Sequence, residues 1–246
     1  MKKLLFKLIN KHFLNLFGFE ISRRNDTSVS QLKGLFKNKE QLRIIDSGAY
    51  KGKFSEEFQM IYPKTTALCI EPTPKSFLKL SEKFKNKKNF ILENVGLSHT
   101  NREGLLNINA SEKTNSLLNM DKNIPSVQLK FHKNKNAKIV QLLTLDSLLE
   151  KHNWLESNSP EIDLLKIDVQ GSELDLLLGA KNTLSKARNI LIEIHFIRSY
   201  ENSPLFCEIN SFLINKGFIF KRFYDLVHDS KDRTRLIYGD ALFSKK

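Results

Sequence analysis

Short apolar runs that end in a carboxylate alternate along this chain with segments of helical period. Leu42–Asp46 (LRIID) is such a run, and Lys53–Tyr62 follows with Phe54, Phe58 and Ile61 at helical spacing before Pro63 closes it. Thr66–Glu71 (TALCIE) is the next run. Lys75–Lys85 comes after it, with Phe77, Leu78, Leu80 and Phe84 turned inward, and then Phe90–Val95. Parallel strands cannot be joined by a tight turn, so this order predicts a parallel sheet with crossover helices, an α/β doubly wound architecture.

The second half continues the pattern. Thr144–His152 reads as a helix with Thr144 as N-cap, Ile162–Asp168 (IDLLKID) as a strand and Ser172–Leu184 as a helix. Asn189–His195 (NILIEIH) is a further strand, and Pro204–Lys216 is a helix that Gly217 ends. Phe218–Tyr224 and Ala241–Ser244 read as closing strands of a hairpin with a long connection. Gly104–Gln141 is polar and lysine-rich, and is expected to supply strand and loop pieces covering a site. Without internal repeats or a low-complexity linker, the economical division is a single domain over residues 39–246 after an extension over residues 1–38.

That extension holds a polar stretch, Ser22–Ser30, and a short helix-like segment, Gln31–Asn38. Before them, Met1–Phe19 places Leu4, Leu5, Leu8, Ile9, Leu16 and Phe17 near helical spacing, with Lys2, Lys3, Lys7 and Lys11 between them. A basic amphipathic helix can lie on an anionic membrane or pack on its own domain, and both readings stand. Charge interrupts the apolar run and no small-residue cleavage site follows, which speaks against a signal peptide. The 246 residues carry a formal net charge of +13, a balance that suits phosphates, nucleic acid or a negative membrane surface, or simply a solvated lysine face. No run of about 18 apolar residues exists to span a bilayer. The two cysteines, Cys69 and Cys207, make no disulfide framework, and Cys69 lies in an apolar run. A reduced thiol in a reducing, cytoplasmic compartment is expected, with peripheral membrane contact through the N-terminal helix as the alternative setting.

The chemistry gathers where the first two strands end. Asp46-Ser47-Gly48-Ala49-Tyr50-Lys51-Gly52 has the spacing Asp-x-Gly-x-x-x-Gly, which is not the dinucleotide fingerprint. In a doubly wound sheet, ligands sit outside the carboxyl ends of the strands, and glycine lets backbone approach them. An acid beside the glycines would repel a pyrophosphate, but it suits the cationic methionine end of S-adenosylmethionine. Glu71 follows about 25 residues later, where a carboxylate accepts from ribose hydroxyls.

The series IIDSGAYKGKFSEEF, CIEPTPKSFLKL, ENVGLS, TNSLL, LLTLDSLL, DLLKIDVQGSELDLLLGA, ILIEIH and YGDALF resembles the FkbM methyltransferases in order and spacing from Leu42 onward. The most specific piece is Lys166–Glu173 (KIDVQGSE). The family tends to carry an aromatic where Ser172 stands and Asn where Tyr50 stands; neither departure removes an acid or a glycine. The resemblance implies a Rossmann-like class I methyltransferase fold, a seven-stranded mostly parallel sheet with an antiparallel C-terminal hairpin. It also implies S-adenosylmethionine as cofactor and methyl transfer to oxygen, often a sugar hydroxyl of a surface polysaccharide or glycolipid. Asp46, Gly48 and Gly52 would meet the cofactor's amino-acid end, Glu71 its ribose, and Asn94 and Val95 its adenine. Ser47, Ala49 and Pro72 complete the set.

An alcohol acceptor gains from a base. Candidates at the later strand ends are Asp168, then Lys166, which shares its face of the strand, then His195, whose titration range suits a base. Each also has an ordinary structural reading: a helix cap, an ion pair and a hydrogen-bonded core imidazole. Asp168, Glu193 and His195 together are a candidate divalent-metal set, although no metal is assigned. Glu173 opens the next helix and is expected to stabilise its N-terminus. The acceptor class expected is a small molecule or glycan, anionic or lipid-linked. Without a recognition module a specific nucleic-acid partner is not expected, but a nucleic-acid methyltransferase and a non-catalytic Rossmann-like binding module remain the competing readings.

Overall fold

The computed structural model describes residues 28–36, 39–122, 124 and 126–246. The chain divides into two compact units, Met1–Asn38 and Lys39–Lys246. In the first, helix α1 (Ser28–Gln31) runs into a 3-10 turn, Leu32–Phe36, instead of the Gln31–Asn38 helix read from the sequence. Gly34 lies inside that turn, where glycine disfavours continued α-helix. The amphipathic segment Met1–Phe19 lies outside the described residues. No helix among the described residues is long and apolar enough to cross a membrane.

The second unit is built on seven strands: β1 (Arg43–Ser47), β2 (Thr66–Ile70), β3 (Phe90–Glu93), β7 (Leu164–Ile167), β8 (Asn189–His195), β9 (Phe218–His228) and β10 (Leu236–Lys245). Their order is β3-β2-β1-β7-β8-β10-β9, all parallel except β10, which runs antiparallel to both β8 and β9. The expected seven-stranded, doubly wound sheet with its antiparallel final hairpin is what the chain forms. Strands covered on both faces must be apolar throughout, and Ile44, Ile45, Leu68, Ile70, Leu165, Ile167, Ile190 and Ile192 are all buried. Helices α2 (Lys53–Ile61) and α3 (Pro74–Phe84) make the first crossovers. In one continuous core, Leu148 and Leu149 of α5 (Leu145–Lys151) and Leu176 and Leu177 of α6 (Glu173–Leu178) join Ile45, Leu68 and Ile70. Thr144 caps α5 as expected, its hydroxyl accepting from the Ser147 amide at 3.1 Å.

Three elements differ from the sequence reading. The helix expected over Ser172–Leu184 is two helices, α6 and α7 (Lys181–Lys186), broken at Gly179. A Cβ at Gly179 would stand 2.4 Å from the Ser98 carbonyl oxygen, so backbone passes tightly over backbone there. The start of α7 is capped from outside, since the Asp146 carboxylate of α5 accepts from the Asn182 and Thr183 amides at 2.9 and 2.8 Å. The polar stretch 104–141 is more regular than expected. It contains most of an antiparallel pair, β5 (Arg102–Asn109) and β6 (Asn134–Leu143), which forms a second sheet with β4 (Gly96–Leu97) in the order β4-β6-β5, and helix α4 (Ser126–His132) lies between its long strands. The final hairpin has longer strands and a shorter connection, residues 229–235, than its apolar pattern suggests. Register shifts in the β9–β10 pairing blur the alternation by which its strands would be recognised.

Candidate active site

The strand order reverses at β1, whose neighbours are β2 and β7, so a crevice opens beyond the carboxyl end of β1. Gly48 turns the chain there with φ +80°, and a Cβ on it would lie 1.8 Å from the Asp168 carbonyl oxygen. The amides of Gly48 and Ala49 donate to the Ile70 carbonyl at 3.0 and 2.9 Å, the Gly52 amide to Ala49 O at 2.7 Å, and the Tyr50 amide to Glu71 Oε2 at 2.8 Å. With these donors committed within the protein, the turn does not form the free amide cradle that a pyrophosphate requires. Gly52 has φ +75°, and the space of its Cβ belongs to Phe84 and Leu80 of α3. Both glycines are therefore demanded by the fold itself, whatever they meet in a ligand. Tyr50 sits at φ 51°, a conformation that Asn adopts more readily than Tyr.

Glu71, just past β2, is 6% exposed. Its Oε1 accepts from the Thr73 amide at 2.8 Å and its Oε2 from Tyr50. Burial raises its pKa above the ordinary carboxylate value, against the pull of the bonds from Thr73 and Tyr50. With the Thr73 side chain as a third partner, the carboxylate still keeps acceptor capacity for a hydroxyl donor. Asn94 braces this corner, its Nδ2 donating to Glu71 O at 2.8 Å and Pro72 O at 3.3 Å, and Val95 beside it is buried. Among the described residues the Ser47 hydroxyl is buried without a protein partner. A carboxylate with spare acceptor capacity, a turn lacking a phosphate cradle and an unpartnered hydroxyl together fit a ribose-bearing, phosphate-free cofactor.

Asp46 is the fourth residue of β1, two residues before the Gly48 turn. It is completely buried, with Oδ2 accepting from Ser55 Oγ at 2.7 Å and Oδ1 3.1 Å from Lys166 Nζ. Asp46 and Lys166 are register partners on β1 and β7, so their side chains leave the sheet on one face and meet. Asp46, expected to meet the cofactor's cationic end, is thus also engaged in an internal ion pair. Lys166, 13% exposed, also lies 3.4 Å from Asp168 Oδ2. Burial alone would lower its pKa, but Asp46 and Asp168 outweigh that and hold it above the usual lysine value.

Asp168 carries the accessible carboxylate of this cluster, with its side chain 36% exposed. Gln170 steers it: Nε2 donates to Asp168 Oδ1 at 2.8 Å and to Glu193 Oε2 at 2.9 Å, while Gln170 Oε1 accepts from the Tyr200 hydroxyl at 2.8 Å. Burial, with Asp168 adding to it, raises the pKa of Glu193 well above the usual range. Asp240, the register partner of Glu193 on β10, is pushed up to about 7 by burial and then by Asp168 and Glu193. His195 is buried against Glu193 and Ser199, with ring nitrogens 3.3 Å from Glu193 Oε2 and Ser199 Oγ, and burial holds its pKa below 6.5. Glu173, pushed up to about 7 chiefly by burial, does more than open α6: its carboxylate accepts from the Val169 and Gly171 amides at 3.3 and 3.0 Å and so ties the preceding turn. A donor amide separates Asp168 from Glu193, and among the described residues no group of three or more His, Cys, Asp or Glu is arranged to hold a metal. Cys69, next to Asp46 in register, is a buried thiol 3.3 Å from Ser55 Oγ, raised in pKa by burial and then by Asp46.

The structure therefore gathers Asp46, Gly48, Lys166 and Asp168 at one crevice with Glu71 on its β2 side. The sequence reading placed Gln170 at a strand end among the candidates without a definite role, and it missed Tyr200 and Asp240, although YGDALF already contained Asp240. Against known proteins, the methyltransferase FkbM domain matches residues 46–220, and so takes in both halves of this crevice. The chain belongs to the FkbM methyltransferase family. By its description that domain is a methyltransferase domain. The chain is 28% identical over 166 residues to the 2-O-methyltransferase NoeI of Sinorhizobium fredii, a match covering 64% of this chain and 65% of that protein. The chain thus spans just under two thirds of that relative's length. Methyltransferase 1 of Beauveria bassiana is 27% identical over 193 residues, 71% of each chain. Among solved structures, Mycoplasma capricolum TrmK with S-adenosylhomocysteine aligns at a TM-score of 0.46 with 12% identity, covering 91% of this chain and 70% of that one.

Proposed function

We propose that this chain is an O-methyltransferase acting on a sugar hydroxyl, with Glu71 on the cofactor side and Asp168 on the acceptor side of one crevice. The observation that carries the reading is the contact between the two halves: the Asp168 backbone abuts Gly48, and its side chain is the open carboxylate of the cluster. Glu71 holds the ribose hydroxyls; Ser47, Gly48 and Ala49 line the approach; Pro72, Asn94 and Val95 flank the adenine side. When bound, S-adenosylmethionine supplies a methyl group already activated on a sulfonium, so positioning does most of the remaining work. Asp168 accepts a hydrogen bond from the acceptor hydroxyl and takes its proton as the new C–O bond forms. Lys166 and Gln170 fix the direction of that carboxylate. His195 acts through Glu193 as structural support. NoeI, by its name a 2-O-methyltransferase, supports oxygen as the methyl acceptor.

Calorimetric titration with S-adenosylhomocysteine tests the cofactor half, and label transfer from S-adenosylmethionine to a panel of neutral methyl glycosides tests the acceptor half. Wild type is expected to bind the homocysteine product, and Glu71→Ala to lose that binding while remaining folded. Asp168→Asn should keep binding and lose transfer. Full transfer by Asp168→Asn would remove Asp168 from the chemistry, and transfer to RNA but to no glycoside would move the acceptor to nucleic acid.

A further inference from the structure

The small sheet sends a strap across the ends of the large one. After the 3-10 turn Glu112–Thr114, the chain passes through Thr114, Asn115 and Ser116, and Ser116 bridges back to Asn107 of β5. Three consecutive residues there reach three different strand ends. Tyr200, beyond β8, has its hydroxyl 3.0 Å from Thr114 O and 2.8 Å from Gln170 Oε1, so its one proton is shared between the two acceptors. Asn115 donates from Nδ2 to Thr73 Oγ1 at 3.2 Å, and Thr73 in turn donates its amide to Glu71. Ser116 donates its hydroxyl to Gln170 O at 2.6 Å, and the Gln170 side chain holds Asp168 and Glu193.

Asn115 and Ser116 are both buried and fully engaged. Asn115 Oδ1 accepts from the Asn109 amide at 2.8 Å, and Ser116 Oγ accepts from the Leu118 amide at 3.0 Å. Gln170 needs such a hold, because at φ 56° its backbone occupies a left-handed conformation that a non-glycine residue adopts only when its surroundings impose it. We propose that Asn115 and Ser116 are positioning residues, Asn115 setting Glu71 through Thr73 and Ser116 setting the Gln170 turn that aims Asp168. Because they are neighbours in the chain, one peptide unit fixes the spacing between the cofactor arm and the acceptor arm. The inference rests on the assignment of Glu71 and Asp168 made above.

The test uses full-length protein, S-adenosylhomocysteine as probe and amide hydrogen exchange as second readout, with Glu71→Ala as control. Asn115→Ala and the isosteric Thr73→Val should weaken binding by on the order of tenfold, since each leaves a buried polar partner unsatisfied. Thr73→Ser, which keeps the hydroxyl, should restore it. Ser116→Ala should leave affinity within about twofold, because its arm leads away from Glu71, yet speed amide exchange over residues 169–171, with Ser116→Thr restoring protection. Wild-type affinity in both Asn115→Ala and Thr73→Val, with binding lost in Glu71→Ala, would overturn the strap while leaving the cofactor site intact. Wild-type affinity in Glu71→Ala would overturn the cofactor assignment and the strap with it. Equal losses in all strap variants, paralleled by equal falls in Tm, would show a merely structural segment.

Discussion

Glu71 and Asp168 stand on opposite sides of one crevice, and they are held in opposite ways. Glu71 is 6% exposed and gripped by two backbone amides, whereas the Asp168 side chain is 36% exposed and gripped by the side chains of Lys166 and Gln170. Backbone donors do not depend on the side-chain chemistry of Tyr50 or Thr73 so long as the chain path is held, so the β1–β2 half suits a ligand that never varies. Side-chain grips can be re-tuned one substitution at a time, which suits the half that must fit a particular acceptor. The contrast predicts that damage to the first half appears as loss of fold or cofactor affinity, and damage to the second as loss of turnover.

The strongest blow to both halves is expected where they touch. Gly48→Ala puts a Cβ into the Asp168 carbonyl and forces alanine to φ +80°, so a loss of about 4 kcal/mol or more is expected. A melting curve superimposable on wild type would show that the two turns do not abut as described. Next in size is Lys166→Met, which leaves Asp46 wholly buried without its cation; removing one partner of such a pair costs about 3–5 kcal/mol. Adding Asp46→Asn should recover most of that, since the buried charge goes too. Urea denaturation of the single and double variants reads this directly. If the double variant is no more stable than Lys166→Met alone, Lys166 acts by packing rather than by charge.

Gln170→Ala discriminates between the halves most sharply. Freed from Gln170, Asp168 should lose its direction, and turnover should fall by on the order of tenfold to a hundredfold. Affinity for S-adenosylhomocysteine should stay within about twofold, because the amides that hold Glu71 are untouched. Parallel loss of both would merge the two halves into one rigid unit.

The sheet was legible in the sequence because its strands are buried on both faces and so carry continuous apolar runs, as in Ile44–Ile45 and Ile190–Ile192. The small sheet was not. The buried apolar residues of its two long strands are few, Leu106, Val140 and Leu142, while the register partners Leu105 and Ile139 are exposed, so no clean alternation marks it. The acids and glycines of the site stood out by type and spacing, but their partners did not. Asp46 reads as a ligand-facing acid until the β1–β7 register brings Lys166 beneath it, and registers between strands some 120 residues apart leave no local trace. The division of Ser172–Leu184 was hidden for a similar reason, since the cap at its break comes from Asp146 in another helix.

The mildest test concerns charge at the acceptor half. Asp240 faces Asp168, Glu193 and Asp225, with Lys166 as the opposing cation, and burial with these neighbours pushes it up to about 7 from an ordinary 3.8. Between those values the folded protein holds a proton on Asp240 that the unfolded chain has lost. Folding is therefore favoured by this group at low pH, and its contribution disappears as pH rises through about 7. Asp240→Asn is uncharged at every pH and lacks that loss. Its stability relative to wild type should thus rise between pH 5.5 and pH 8, by something of the order of 1 kcal/mol given the charges that surround it. His195, whose pKa is lowered by burial, acts in the other sense: it contributes stability above its unfolded value of 6.5 that is lost in acid, and it does so in both proteins, so the difference between them isolates Asp240. Urea denaturation of the pair at the two pH values makes the measurement. A difference that stays flat with pH would mean that Asp240 is charged throughout, and that the acceptor half bears its carboxylates by solvation rather than by protonation.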